Sequence, residues 1–236
     1  MADYQHIYEH HADRYDVLVS HEDHEGQLAR ALLELVPGDG LEVVETGAGT
    51  GRLTRLFAPR ARRVHAFDGA AAMIDVARRR FEDAPHVHCG VARHHALPLQ
   101  GIEADVALEG WAFGHAVSWN PDGWRDDVRA WVAELERVLR PNGTVLLIET
   151  MGTGVETPFF GGHSLEPFHD FVVNALGFSH RVVRTDYRFE SVETAAQTLG
   201  FFFGERLAAR VRDEGWRVVP ECTGVYWRKT VTPPGR

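Results

Sequence analysis

Residues 41–52 read Leu-Glu-Val-Val-Glu-Thr-Gly-Ala-Gly-Thr-Gly-Arg. A short apolar run leads directly into Gly47, Gly49 and Gly51, and a helix is expected from about Thr50 to Phe57. Glycines in such a turn let the chain bend tightly and let a ligand approach the backbone. A strand, a glycine turn and a helix in that order open an α/β sheet, whose ligands bind beyond the carboxyl ends of the strands. The spacing also discriminates between ligands. The dinucleotide fingerprint needs Gly-x-Gly-x-x-Gly with pyrophosphate on the helix N-terminus. Here the position three beyond Gly49 is Arg52, and Glu45 stands where a pyrophosphate would meet an anion. An acid there suits a cationic amino group instead.

Outward from this stretch, strand and helix signals alternate. Helices are predicted over 3–19 and 24–36, the second ending at Pro37-Gly38. Strands follow at 63–67, 86–89, 104–108 and 144–149, with helices at 70–81 and 122–139 between them. The 144–149 run is apolar almost throughout, as in a parallel strand buried on both faces. Beyond Glu149 the reading changes: a Gly-, Thr- and aromatic-rich loop over 152–167, a helix over 166–176, a strand over 180–189, a helix over 191–213 and a closing strand over 223–230. Alternation through 41–149 implies right-handed crossovers and a doubly wound sheet.

Composition removes several function classes. The chain has 236 residues, the length of one large domain or one domain with a lid. It carries 25 basic against 34 acidic residues, and its densest basic spots, Arg60, Arg62 and Arg63 and the run Arg78–Arg80, read as solvated helix ends and faces, which argues against broad nucleic-acid binding. No apolar run approaches a membrane span, and the N-terminus has no signal-peptide core. Cys89 and Cys222 form no CxxC and no disulfide framework, so a reduced, cytoplasmic setting is expected. Lys229 is the sole lysine, which leaves little room for Schiff-base chemistry. His6 with His10, the His21–His24 cluster and His86 with His88 do not join into a metal-ligand set, so no metal is expected.

The sequence resembles the class I S-adenosylmethionine-dependent methyltransferases, most closely over about 10–150. Glu45 to Gly51 matches the family's first motif, and Phe67-Asp68 ends the second strand where the family places an acid for the ribose hydroxyls. Met73 falls where an apolar side chain packs on adenine. Leu97-Pro98, Ala104–Leu108 and Leu139–Ile148 resemble the approaches to the fourth and fifth strands. Tyr8, Ala12, Tyr15 and Asp16 are similar to the N-terminal helix that closes over the cofactor. One departure concerns adenine: Gly90-Val91-Ala92-Arg93 stands where the family often has Gly-Asp-Ala, so backbone near Ala92 or a stacked Arg93 must replace the acid.

The resemblance implies S-adenosylmethionine held by Tyr15, Glu45, Gly47, Ala48, Gly49, Gly51, Asp68, Gly69, Met73, Ala92, Arg93 and Glu109. It implies a Rossmann-like, seven-stranded, mostly parallel sheet with an antiparallel last strand and a helical cap. Residues 1–36 would form an N-terminal lid, 41–149 the cofactor core and 151–178 an acceptor-side cap. His115 is the first candidate base, because imidazole titrates near working pH; Glu109 is a second catalytic or methionine-contacting candidate. Trp111, Phe113, Phe160 and His163 are expected to wall the acceptor. Trp119, Trp124, Phe159, Phe168 and His169 lie in the same loops, and ordinary core packing claims some of them. The expected partner is a small molecule, with the chain a monomer or homodimer. Two rivals remain: a nicotinamide-dependent oxidoreductase and a non-catalytic S-adenosylmethionine-binding protein.

Overall fold

The computed structural model describes residues 4–159 and 165–230. The N-terminal region is three helices, α1 (Tyr4–His10), α2 (Ala12–Ser20) and α3 (Gln27–Leu35), with the chain breaking at His11. The carboxylate of Asp23 accepts from the backbone N–H of Leu28 at 3.1 Å, satisfying a donor of the first turn of α3. Then come β1 (Leu41–Thr46), α4 (Thr54–Phe57), β2 (Ala61–Asp68), α5 (Ala71–Arg80), β3 (Val87–Val91) and β4 (Ala104–Gly110). The short α6 (Ala116–Trp119), α7 (Trp124–Arg137) and β5 (Leu139–Thr153) complete the region in which the motifs lie. The remainder is α8 (Leu165–Asp170), β6 (Ser179–Arg184), β7 (Tyr187–Arg188), α9 (Val192–Phe203), α10 (Glu205–Asp213), β8 (Val218–Val219) and β9 (Glu221–Lys229).

Seven strands form one sheet in the order β3-β2-β1-β4-β5-β9-β6. Strands β1 to β5 pair in parallel, and β9 lies antiparallel between β5 and β6. The expected doubly wound sheet with an antiparallel last strand is therefore present. Its winding reverses between β1 and β4, the switch point at which open α/β sheets bind ligands. Alternate residues of β1 feed two cores. Val44, Ala107, Val145 and Leu147 pack under α7 and α8, while Val43, Leu108, Leu146 and Ile148 pack under α3 and α4.

Three expectations downstream of β5 need correction. The helix predicted over 191–213 is two, because Gly204 adopts φ 91° and ψ 169°, a conformation open to glycine and incompatible with helix. The strand predicted over 180–189 is split. Asp186 turns its carboxylate to the backbone N–H of Glu221 at 3.0 Å, and β7 leaves the main sheet to pair with β8. The helix predicted over 166–176 is α8 followed by one π-turn, closed by Leu176 N–H on the Phe171 carbonyl at 3.0 Å. Phe168, Phe171, Val172 and Phe178 of this stretch are buried in the same core as Trp124 and Phe113. From Leu165 onward, the segment expected as a cap packs one face on the core and leaves Glu166, Pro167, Asn174 and Ala175 exposed.

Candidate functional site

The glycine turn lies over the switch point. Gly47, Gly49 and Gly51 have φ of 68°, 55° and 89°, in the left-handed region. Space adds to the demand. A Cβ at Gly47 would stand 2.5 Å from that of Ala112, and one at Gly51 2.5 Å from the Phe81 ring. At Gly69 nothing lies within 4 Å, so the strand-end side is open.

Asp68 ties the turn to β2. Its Oδ2 accepts from the N–H of Gly49 at 2.9 Å and its Oδ1 from the N–H of Ala70 at 2.8 Å. Burial raises the pKa of this carboxyl, and the backbone donors partly offset that. Each oxygen keeps lone-pair capacity for a further donor such as a sugar hydroxyl. Glu45 is buried beneath the turn and accepts from Thr54 Oγ1 at 2.5 Å. Burial pushes its carboxyl up to about 8, so a cation placed above it would strongly favour ionisation. Among the described residues, the buried Thr50 hydroxyl in the turn has no hydrogen-bond partner. Met73 is buried with Val76 and Ala12, and Tyr8 and Tyr15 pack against them. The Tyr15 hydroxyl is pushed up to about 12, chiefly by burial. A nucleoside with a cationic amino-acid tail fits these groups: an acid at the strand end, a buried carboxyl under the turn and open backbone between. At the adenine edge, Ala92 N–H bonds to the Asp68 carbonyl at 3.0 Å, Val91 is exposed and Arg93 is solvated.

The second half of the site is built by the loop after β4. Two buried glutamates hold its backbone. Glu109 Oε2 accepts from the N–H groups of Ala112 and Phe113 at 3.1 and 3.2 Å, and Glu149 Oε1 accepts from Gly114 at 2.6 Å. Burial and mutual repulsion raise Glu109 well above the carboxylate range, and burial takes Glu149 to about 8. Trp111 sits at φ 54°, unusual for a side chain of its bulk, and the Arg52 guanidinium lies 3.1 Å above its ring centroid. Arg52 also forms an ion pair with the buried Glu22.

His115 projects from this loop. Its Nε2 is hydrogen-bonded to the Tyr8 hydroxyl at 2.9 Å, and Trp119 stacks on it at 4.6 Å and 9°. Burial lowers its pKa to about 4, so at neutral pH it offers a lone pair and no charge. Tyr4, Tyr15 and Phe202 extend the cluster. The structure thus brings His115, Glu109, Trp111 and the glycine turn together. Phe113 is fully buried, its ring against His94 and Trp131, and contributes to the core below the loop. Phe160 and His163 lie outside the described residues. Among the described residues no group of three or more potential ligands could hold a metal ion.

Sequence reasoning missed Glu149, His94, Phe202 and the Tyr8–His115 pairing. His94 Nδ1 meets Thr46 Oγ1 at 2.8 Å beneath the turn. Only Tyr8 carried a signal, through the resemblance of its helix. The others come together across separations such as the 107 residues between Tyr8 and His115.

Comparison with known proteins agrees with this geometry. Residues 44–147 match the methyltransferase domain family. Over 143 residues the chain is 34% identical to a malonyl-[acyl-carrier protein] O-methyltransferase of Serratia marcescens, covering 61% of this chain and 50% of that protein. Over 173 residues it is 31% identical to a probable S-adenosylmethionine-dependent methyltransferase of Mycolicibacterium smegmatis, covering 72% and 58%. The chain thus spans about half of the curated relatives it matches. A solved structure of a putative type II methyltransferase from Anaeromyxobacter dehalogenans shares the fold, with TM-score 0.56, 20% identity and coverage of 87% and 96%. With the glycine turn at the switch point, Asp68 at the end of β2 and these matches, residues 44–147 carry a methyltransferase domain of the S-adenosylmethionine-dependent kind.

Proposed function

We propose that the chain transfers the methyl group of S-adenosylmethionine to a small molecule that enters at the Tyr8–His115 edge. The observation that carries this reading is the Asp68 carboxylate, joined to the Gly49 backbone in the turn that follows the buried Glu45. That arrangement offers hydroxyl acceptors and a buried carboxyl at one glycine turn. When bound, the cofactor supplies an electrophilic methyl carbon.

The chain's own residues then have separable tasks. Gly47, Ala48, Gly49 and Gly51 keep the backbone close to the ligand, Asp68 and Gly69 face the sugar, and Met73 walls the base. Glu45 meets the amino-acid tail. Glu109 and Glu149 set the position of the 111–115 loop, and the loop sets His115 and Trp111. Holding the acceptor in line with the methyl group supplies most of the acceleration expected of such an enzyme. His115, neutral and buried, is the group best placed to take a proton from an acceptor that carries one. The acidic charge balance and the aromatic surroundings support a small acceptor over nucleic acid.

The test is thermal unfolding with millimolar S-adenosylhomocysteine, which binds only the folded state and should raise Tm with concentration. No shift would remove the cofactor assignment. A fluorescence titration with NADH separates the oxidoreductase rival. Tight binding without turnover on any acceptor would favour the non-catalytic one.

A further inference from the structure

We infer that Arg80 is a positioning residue for the cofactor: it pins helix α2 onto the glycine turn, and S-adenosylmethionine is held at full affinity only while that link stands. This inference rests on the methyltransferase reading and deepens it at a residue which that reading leaves without a task.

The run Arg78-Arg79-Arg80 closes α5, where cations suit the helix dipole. The three side chains then part. Arg78 pairs with Asp75 on its own helix at 3.2 Å and reaches the Cys89 carbonyl of β3. Arg79 pairs with Asp13 of α2 at 2.6 Å. Both of these ion pairs are more than half exposed, and such pairs contribute little. Arg80 turns inward instead. Its Nη1 donates to the Thr50 carbonyl at 2.8 Å and its Nη2 to Asp16 Oδ2 at 2.7 Å. The side chains of Arg80 and Asp16 are 25% and 22% exposed. One planar guanidinium thus holds the turn with one arm and α2 with the other. A rigid fork suits that task, whereas an ammonium on a flexible stem is a point donor.

The two arms join the parts that a ligand must meet together. Thr50 lies between Gly49 and Gly51, so the bonded carbonyl belongs to the turn itself. Phe81, next after Arg80, braces the same turn, since a Cβ at Gly51 would stand 2.5 Å from its ring. On the other arm, Asp16 follows Tyr15, whose Cε1 would lie 3.8 Å from a Cβ at Gly49. Gly49 is also the residue whose N–H is taken by Asp68.

The rest of the seam between α1, α2 and α5 is apolar: Ala12, Tyr8 and Tyr15 pack on Met73 and Val76. Apolar burial is non-directional, so it holds the helices down without fixing their register on α5. The Arg80 bonds are directional and charge-assisted, and they supply that register. Without them α2 is free to shift, and Tyr15 leaves the turn. A ligand received between Tyr15, Met73 and Asp68 binds at full affinity only in the closed arrangement. Its apparent Kd rises in inverse proportion to the fraction of molecules that are closed. Arg80 acts on that fraction through Asp16 and the turn, so its effect falls on cofactor affinity and on the order of α1 and α2.

The experiment measures S-adenosylhomocysteine binding to the whole chain by calorimetry, with hydrogen exchange of residues 4–20 in the free and saturated protein. Arg80→Met should weaken binding about tenfold and lose most of the protection that the ligand confers on that segment. Arg80→Lys should restore little of either, because one ammonium does not span Thr50 and Asp16. Asp16→Ala keeps the Thr50 bond and should weaken binding about threefold. Added to Arg80→Met it should cost nothing more, since the link is already gone. Arg79→Met cuts the exposed pair between the same two helices and should leave affinity within about twofold of wild type. If Arg80→Met fails to fold, Asp16→Ala set against Arg79→Met decides alone. Unchanged affinity in Asp16→Ala, an equal loss in Arg79→Met, full recovery by Arg80→Lys or additive losses in the double variant would each overturn the inference. So would a lowered Tm with unchanged affinity, which marks a purely structural ion pair. A wild-type chain that does not bind S-adenosylhomocysteine overturns the methyltransferase reading itself, and this inference with it.

Discussion

The two halves of the site are built in different ways. The glycine-turn half draws Glu45, Gly47, Gly49, Gly51 and Asp68 from one β1-turn-α4-β2 unit, and its demands are made on the backbone. The half proposed to receive the acceptor draws Tyr8, Phe202, His115, Trp119 and Glu149 from separate elements. Its demands are made on side chains that meet only after the sheet has formed. Backbone constraints such as a positive φ narrow the residue choice to glycine and so leave a mark in sequence. A ring that meets another ring across a hundred residues leaves none.

The largest effect that would sharpen this contrast is in the assembled half. Phe168 is 1% exposed in the core beneath the acceptor loop. Phe168→Ala should cost about 3–5 kcal/mol by leaving a cavity. Chemical denaturation checks it. A loss below 1 kcal/mol would mean that α8 lies on the site as a lid, as the aromatic-rich sequence suggests, and not in the core.

Gly47→Ala tests the local half. The substitution combines φ 68° with a Cβ 2.5 Å from Ala112. It should cost about 1–3 kcal/mol and abolish the S-adenosylhomocysteine shift. Wild-type binding in this variant would show that the turn tolerates side chains and that the glycine pattern is not a ligand signature.

The pH dependence of Glu45 comes next. Its folded pKa is about 8 against an ordinary 4.5. A raised carboxyl binds a proton in the folded state that the unfolded chain releases. Its contribution is therefore fully present below 4.5 and is lost as pH rises towards 8. The slope over that window is at most about 1.4 kcal/mol per pH unit. Glu45→Gln should flatten it. Affinity for S-adenosylhomocysteine, which brings an ammonium, should rise with pH in the wild type and lose that rise in the variant. An unchanged affinity profile would detach Glu45 from the ligand.

The smallest effect concerns Tyr8. Tyr8→Phe removes one hydrogen bond to His115 and should cost about 0.5–1.5 kcal/mol of stability. Its larger consequence should be on acceptor turnover, with S-adenosylhomocysteine binding little changed. Equal losses of cofactor and acceptor binding would erase the division between the two halves.

Much of the molecule was legible beforehand. The alternation through 41–149 carries period-2 and helical patterns long enough to read, and the doubly wound sheet follows from them. The region beyond β5 read less well. Gly204 sits inside an apolar helical pattern whose period continues on both sides, so the break depends on its ψ of 169°, which composition does not reveal. Asp186 ends β6 through a bond to Glu221, a partner 35 residues away.

By itself the sequence determined the glycine turn, the acids Glu45 and Asp68 around it and the sheet that presents them. These follow from steric limits on each residue's own backbone and from local periodicity. Only the tertiary structure decided that Glu149 supports the loop of His115, that Tyr8 meets that histidine, and that, among the described residues, Glu22, Glu45, Glu109, Glu149 and Glu221 are buried with Arg52 as the buried arginine. Those facts depend on which strands become neighbours and which face each side chain takes. Burial, which sets the charge state of every one of those groups, exists only once the chain has folded.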